Sequence, residues 1–183
     1  FLSAGIKEIV VVVRSEDVRL ATSRITKMIR KTRANIQVIA GGLERQDSVW
    51  NGINAVDAEI ALVHDAARPA IRPDLIRTIF LAAWVDGAAV PVVPVIDTLK
   101  RVAGAKGVRT EKREGLYGVQ TPQGFRRDIL IKAITAARRK KFLATDCSAL
   151  VESLGKKVTA MSGAPTNLKL TTPEDLKMLR AIL

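Results

Sequence analysis

Residues 8–13 read Glu8-Ile9-Val10-Val11-Val12-Val13 and are closed by Arg14. β-branched side chains are stiff at χ1 and fit a pleated backbone better than a helix. Successive strand side chains point to opposite faces, so an unbroken apolar run predicts a strand covered on both sides. Downstream, Val18, Ala21, Ile25, Met28 and Ile29 recur at helical spacing and predict a helix within 17–33. The alternation then repeats. A strand over 35–40 ends in Gly41-Gly42, a helix covers 46–55 and a strand covers 58–63. A helix opened by Pro73 runs to 85, and a strand covers 88–95. This order predicts an α/β fold with a Rossmann-like, mostly parallel sheet and helices on both faces.

After Asp97 the rhythm breaks. Strand patterns over 98–102 and 108–112, joined by Gly104-Ala105-Lys106-Gly107, predict a polar β-hairpin that projects as an arm within about 97–121. Residues 116–120 return to the sheet. Helices over 127–139 and 146–154 and a short strand over 157–161 follow. Thr172-Pro173-Glu174-Asp175 opens a last helix with a hydroxyl cap, an early proline and acids at the positive end. There is no internal repeat or linker, so the 183 residues read as a single domain with an arm.

Aromatics make up only 4% of the chain, so Val, Ile, Leu and Ala must fill the core. The lone cysteine, Cys147, fits a reducing, cytoplasmic compartment. With His64 the only histidine, no zinc set of the His and Cys type can be assembled, and no metal-ligating residues are expected. No apolar run reaches the roughly 20 residues of a membrane helix, and Phe1-Leu2-Ser3-Ala4-Gly5 has no signal-peptide pattern. The net charge of +12 calls for an acidic partner. The basic residues are dispersed, however, over Arg30-Lys31 with Arg33, Arg138 to Lys141, and Lys156-Lys157. Trp50, Trp84 and Tyr117 are scattered too, so no stacking surface for nucleic acid is expected. Arg138 to Lys141 reads as the solvated end of a helix.

Ligands of open α/β sheets bind beyond the carboxyl ends of the strands. Polar clusters fall there: residues 41–48, 64–69, Asp97-Thr98, 120–123 and Asn167-Leu168-Lys169. Singly, each has an ordinary structural reading. Gly41-Gly42 and Asp97-Thr98 could be turns, Asp65 and Arg68 an ion pair, Thr121-Pro122 a strand terminator and Lys169 a solvated lysine. Together, in this order on one sheet edge, strand ends carrying Asp, Arg, Thr and Lys are more specific than any one motif.

The segments Gly41-Gly42 with Arg45 and Ser48-Val49, Val63-His64-Asp65-Ala66-Ala67-Arg68-Pro69, and Pro94-Val95 with Asp97-Thr98 and Lys100 carry a family resemblance. So do Arg113 with Gly115-Leu116, Gln120-Thr121-Pro122-Gln123 with Phe125, Thr145-Asp146, and Asn167 with Lys169, Thr171, Pro173 and Asp175. The chain resembles the methylerythritol phosphate cytidylyltransferases, of nucleotidyltransferase or glycosyltransferase-A-like fold. The sibling ribitol phosphate enzymes usually carry Ser-Val where Ala66-Ala67 stands. The resemblance implies transfer of cytidylyl from CTP to 2-C-methyl-D-erythritol 4-phosphate in the non-mevalonate isoprenoid pathway. Pyrophosphate would leave, with Mg2+ carried by the triphosphate and a homodimer formed through the arm. It implies that Gly42, the backbone of Leu43, and Ser48 form the cytosine pocket, that Ala66 admits the ribose, and that Asp65, Arg68, Thr98 and Thr121 hold the sugar phosphate. It further implies that Arg113 reaches a partner's site and that Lys169 meets the α-phosphate.

The chain also departs from the family pattern. The Gly-rich Pro-Ala-Ala-Gly-x-Gly-x-Arg loop and the following Pro-Lys-Gln segment do not occur in it, so the resemblance implies an N-terminally truncated domain that lacks this loop and the first sheet strand. Leu43 and Cys147 stand where acids are common, and Thr166 where an Asp is often found. Cys147 is expected to be a buried small hydrophobe. The loop's amides and cations would neutralise leaving pyrophosphate. These 183 residues alone are therefore expected not to turn over substrate. A pyrophosphate-release assay on this chain checks that, and a normal rate would overturn it.

Overall fold

A computed structural model of the chain describes residues 1–29, 33–104 and 107–182. The predicted end of the first helix, including Arg30 and Lys31, and the hairpin turn at Ala105 and Lys106 lie outside the described residues. Strand β1 (Glu8–Val13), helix α1 (Val18–Ile29) and strand β2 (Asn35–Ala40) come first. β1 and β2 pair in parallel, from Glu8 opposite Asn35 to Val13 opposite Ala40. Helix α2 (Arg45–Asn54), β3 (Ile60–Val63), α3 (Pro73–Asp86) and β4 (Ala88–Pro94) follow. The predicted arm is present as an antiparallel hairpin of β5 (Lys100–Ala103) and β6 (Gly107–Thr110) that pairs with no other strand among the described residues. The chain closes with β7 (Tyr117–Val119), β8 (Gln123–Arg126), α4 (Arg127–Arg139), α5 (Cys147–Glu152), β9 (Thr159–Ser162) and α6 (Pro173–Ile182).

The α/β class holds, but the sheet is not mostly parallel. β4 is parallel to β9, whereas its pairings with β7 and β8, and that of β3 with β8, are antiparallel. Parallel neighbours need a long crossover, usually a helix. The arm supplies no crossover helix and sends the chain straight back along β4. β9 occupies one edge of β4 opposite both Ala89 and Val92. β7 and β8, paired to the same two residues, must therefore share the other edge. They form one returning strand broken at residues 120–122. Three steps along β4, from Val92 to Ala89, match five along the return, from Val119 to Gly124. The two surplus residues bulge, at a cis Thr121–Pro122 bond. A bulge of this kind re-aims side chains.

Helices do cover both faces of this sheet. Phe125 packs with Leu130 and Ile134 of α4 and Leu150 of α5. Its neighbour Gly124 points the other way, under Ile79 and Ala83 of α3. Ala88 and Ala89 divide between the same two layers. The cap of α6 is as expected: Asp175 donates its amide to Thr172 Oγ1 and accepts the amides of Thr171 and Thr172. Those bonds and the Thr171 hydroxyl pull the Asp175 carboxyl down to about 2. Among the described residues no helix is long and apolar enough to cross a membrane.

A Cβ at Gly124 would lie 2.9 Å from Ala83 Cβ and 3.0 Å from the Ile79 carbonyl oxygen. Gly124→Ala is expected to push α3 off the sheet at a cost of about 1–3 kcal/mol. The check is a lower urea midpoint at unchanged slope.

Candidate active site

The bulge in the returning strand aims Gln120 and Thr121 at two loops that lie far apart in the chain. Thr121 Oγ1 accepts the amide of Asp65 at 3.0 Å and lies 3.0 Å from His64 Nδ1. The other ring nitrogen, Nε2, is 3.0 Å from the carbonyl of Arg68, which can only accept. Nε2 therefore carries the proton, and Nδ1 accepts from the Thr121 hydroxyl. Burial lowers the imidazole pKa, keeping this neutral form. The turn is closed by the Arg68 amide donating to the Asp65 carbonyl at 2.9 Å.

Gln120 fixes the second loop. Its Oε1 accepts from Ala164 and from Asn167 Nδ2, its Nε2 donates to the Ala164 carbonyl, and Asn167 Nδ2 also reaches the Thr121 carbonyl at 2.9 Å. Leu170 donates its amide to the Ala67 carbonyl at 2.7 Å. This bond stitches the two loops together and sets Lys169 beside Asp65.

Asp65 is then shared. Its Oδ1 is 3.2 Å from Arg45 and its Oδ2 is 3.2 Å from Lys169. Burial pushes its carboxyl upward, but Lys169 and Arg45 outweigh that and hold it below the ordinary range. Arg68 is not its partner, contrary to the simplest reading of the sequence. Arg68 Nη1 donates to the Asn167 carbonyl at 2.7 Å, while its buried Nε has no partner. Two cations thus flank one carboxylate, with Arg68 anchored close by on the Asn167 carbonyl, and the surplus of positive charge suits an anion.

Arg45 received no role from sequence, yet it joins two layers. Its Nη1 lies 3.4 Å from Cys147 Sγ. Burial raises the Cys147 thiol pKa and keeps it uncharged, so Asp65 is the anion that Arg45 faces among the described residues. Cys147 is fully buried, as expected. Gln123, named in the 120–123 cluster but given no role, accepts the amides of Cys147 and Ser148 and donates to Asp146 at 2.7 Å. A polar residue in a strand carried no signal that it would be sealed in the core.

The glycine loop lies on the same side. Gly42 donates its amide to Ser48 Oγ at 3.1 Å. A Cβ at Gly42 would meet Asp47 Cβ at 2.3 Å, so only glycine permits this approach. Leu43 is fully exposed, leaving its backbone accessible. Ala66 is exposed at the turn and places no bulk beside Asp65. Arg138 is not merely solvated: it meets Asp47 at 2.6 Å and lies over the Trp50 ring at 4.7 Å. Thr98 and Arg113 belong to the arm. Thr98 is exposed, and Arg113 donates to the Ile96 carbonyl at the arm's base. No hydrogen bond or ion pair described here joins either of them to Asp65. Among the described residues no group of three His, Cys, Asp or Glu side chains could cage a metal. Both Asp65 oxygens are engaged by cations. The residues present do not fit a protein-held magnesium ion.

The family model for IspD, 2-C-methyl-D-erythritol 4-phosphate cytidylyltransferase, matches residues 1–183. The cytidylyltransferase of that name from Pelotomaculum thermopropionicum is 44% identical over 187 residues, spanning 99% of this chain and 77% of the relative. The Thermus thermophilus crystal structure of that name is 32% identical, with a TM-score of 0.80, and covers 97% of this chain and 98% of its own. A 4-diphosphocytidyl-2C-methyl-D-erythritol synthase structure from Anaerococcus prevotii is 28% identical, with a TM-score of 0.86, and covers 98% and 83% respectively.

The shared carboxylate sets a pH dependence. Because the folded-state pKa of Asp65 is depressed, its stabilisation is complete above the unfolded value of about 3.9 and is lost as pH falls through the folded one. Its cations are part exposed, so Asp65→Asn is expected to cost about 1–2 kcal/mol at neutral pH. The wild-type advantage should shrink on acidification, as measured by denaturant unfolding at a series of pH values.

Proposed function

The chain belongs to the 2-C-methyl-D-erythritol 4-phosphate cytidylyltransferase family, and on that premise we propose how its residues divide the work of the reaction. CTP and 2-C-methyl-D-erythritol 4-phosphate give 4-diphosphocytidyl-2-C-methyl-D-erythritol and pyrophosphate, a step of isoprenoid biosynthesis. A phosphate oxygen of the sugar phosphate forms a bond to the α-phosphorus of CTP, and the bond from that phosphorus to the bridging oxygen breaks. Such displacements need positioning and charge neutralisation more than a covalent catalyst.

The observation that carries this reading is the carboxylate of Asp65 held between Arg45 and Lys169, with Arg68 fixed on the Asn167 carbonyl of the Lys169 loop. Lys169 faces the α-phosphate and the negative charge that builds on its oxygens. Its side chain is half exposed, which leaves it open to an incoming anion while Asp65 holds its position. Arg68 has guanidinium donors left over and is fixed at one end, which suits the phosphate of the sugar substrate. Asp65 and Thr121 orient the sugar hydroxyls.

Cytosine presents an N4 donor and N3 and O2 acceptors, and the Gly42–Ser48 corner offers a backbone and a hydroxyl to match. Ala66 leaves room for the ribose. Magnesium enters this reading as a passenger on the triphosphate, with no side-chain cage of its own. The arm exposes Val102 and Val108, with Tyr117 and Val119 beside it. Exposed apolar residues of this kind support a homodimer in which Thr98 and Arg113 serve a neighbouring site. The lone buried thiol suits a cytoplasmic setting.

Calorimetric titration with the product 4-diphosphocytidyl-2-C-methyl-D-erythritol tests the assignment, because that molecule spans both halves of the site. Lys169→Met is expected to weaken binding about 10- to 100-fold, the loss of a charge-assisted hydrogen bond. Unchanged affinity would count against Lys169.

A further inference from the structure

In the basic run that ends α4, Arg139, Lys140 and Lys141 are exposed, whereas Arg138 turns back onto α2 with a side chain 39% exposed. Its Nη2 donates to Asp47 Oδ1 at 2.6 Å, and its guanidinium carbon lies 4.7 Å from the centre of the Trp50 ring. Asp47 and Trp50 are three positions apart on a helix, so they share one face and a single guanidinium engages both. Trp50 packs in turn against the core built by α4, α5 and β8. A second bond crosses between the same two layers, from the Ala144 amide to Gln46 Oε1 at 3.4 Å.

Asp47 is also part of the glycine corner. The amides of Asp47 and Ser48 both donate to the Glu44 carbonyl at 3.1 Å and so close the first turn of α2. The Asp47 Cβ occupies the place that a side chain at Gly42 would take, 2.3 Å from where its Cβ would stand. Ser48 Oγ lies 2.5 Å from the corresponding point at Gly41 and accepts the Gly42 amide. The corner therefore has no slack against residues 47 and 48, and a shift in the first turn of α2 is felt directly at Gly42. The Arg138 hydrogen bond holds the Asp47 carboxyl below its ordinary range and on the α4 side. A carboxylate only accepts. Released, it is free to turn to the Gly42 amide and the Ser48 hydroxyl, which are the groups a base would use.

We propose that Arg138 is a positioning residue for a pyrimidine base. From α4, through Asp47, it keeps the Gly42–Ser48 corner in the shape that receives cytosine, without touching the base itself. The inference rests on the reading of that corner as the cytosine pocket. A part-exposed ion pair contributes little by itself, and the stack on Trp50 adds a similar amount, so losing both changes base affinity by about 3- to 10-fold.

The probes are CMP and ribose 5-phosphate, which share sugar and phosphate and differ by the base. Each is titrated into the whole chain and followed by backbone amide shifts. Hydrogen exchange at Gly42, Asp47 and Ser48 is measured without ligand. Arg138→Met removes the charge, and Arg138→Lys keeps a cation for Asp47. The methionine variant is expected to weaken CMP about 3- to 10-fold, to leave ribose 5-phosphate unchanged, and to speed exchange at the three amides by a similar factor. The lysine variant is expected to recover most of each effect. The proposal is overturned if the methionine variant binds CMP as well as the wild type, if both ligands weaken equally, or if lysine recovers nothing. A wild-type chain that binds CMP no better than ribose 5-phosphate overturns the cytosine reading, and the base with it. Unchanged exchange at the three amides overturns the hold of Arg138 on the corner whichever ligand binds.

Discussion

The carboxylate of Asp65 lies between two cations contributed from distant parts of the chain, Arg45 and Lys169. Each contact is of modest worth in water. Their importance is geometric, because none of the three residues could hold its position alone. Asp65 is set by Thr121, Thr121 by the bulge in the returning strand, and Lys169 by the bond between Leu170 and Ala67. Arg45 is set by the buried thiol behind it. The fold brings these loops together at one corner, Arg45 following β2 and Asp65 following β3, which belong to separate sheets among the described residues, and the ion pairs then fix their separation. A phosphate entering this corner meets charges already in place, and little reorganisation remains at the moment of reaction.

Much of the fold was legible in the sequence because its signals are local. β-branched runs gave β1 and β2, and helical spacing with a proline start gave α3. Lys100–Ala103 and Gly107–Thr110 pair as the hairpin that the loss of apolar rhythm suggested. The direction of the sheet was not legible, because it depends on β8. Gln123-Gly124-Phe125-Arg126 alternates in no simple way. Its glycine is there to let α3 approach, and its glutamine serves the amides of α5. Tertiary demands chose those residues, so strand propensity could not report them.

Similar limits apply to the site. Position in the chain and family likeness singled out Asp65, Arg68, Thr121 and Lys169, and the fold brings all four to one corner. Which cation meets the carboxylate was hidden, since Arg45 and Lys169 are separated from Asp65 by 20 and 104 positions. Proximity in sequence favoured Arg68, which turns instead to the Asn167 carbonyl. Thr98 and Arg113 hold places on an exposed arm, where Arg113 turns to the Ile96 carbonyl.

Cys147 closes the structure beneath Arg45 with no exposed surface. It is the only thiol in the chain, and its pKa is raised by burial. A thiol reagent must wait for the layer formed by α4 and α5 to lift. In the limit where reclosing outpaces reaction, the labelling rate measures the free energy of that opening. The protein therefore carries its own clock for the local breathing of the wall behind its charged corner.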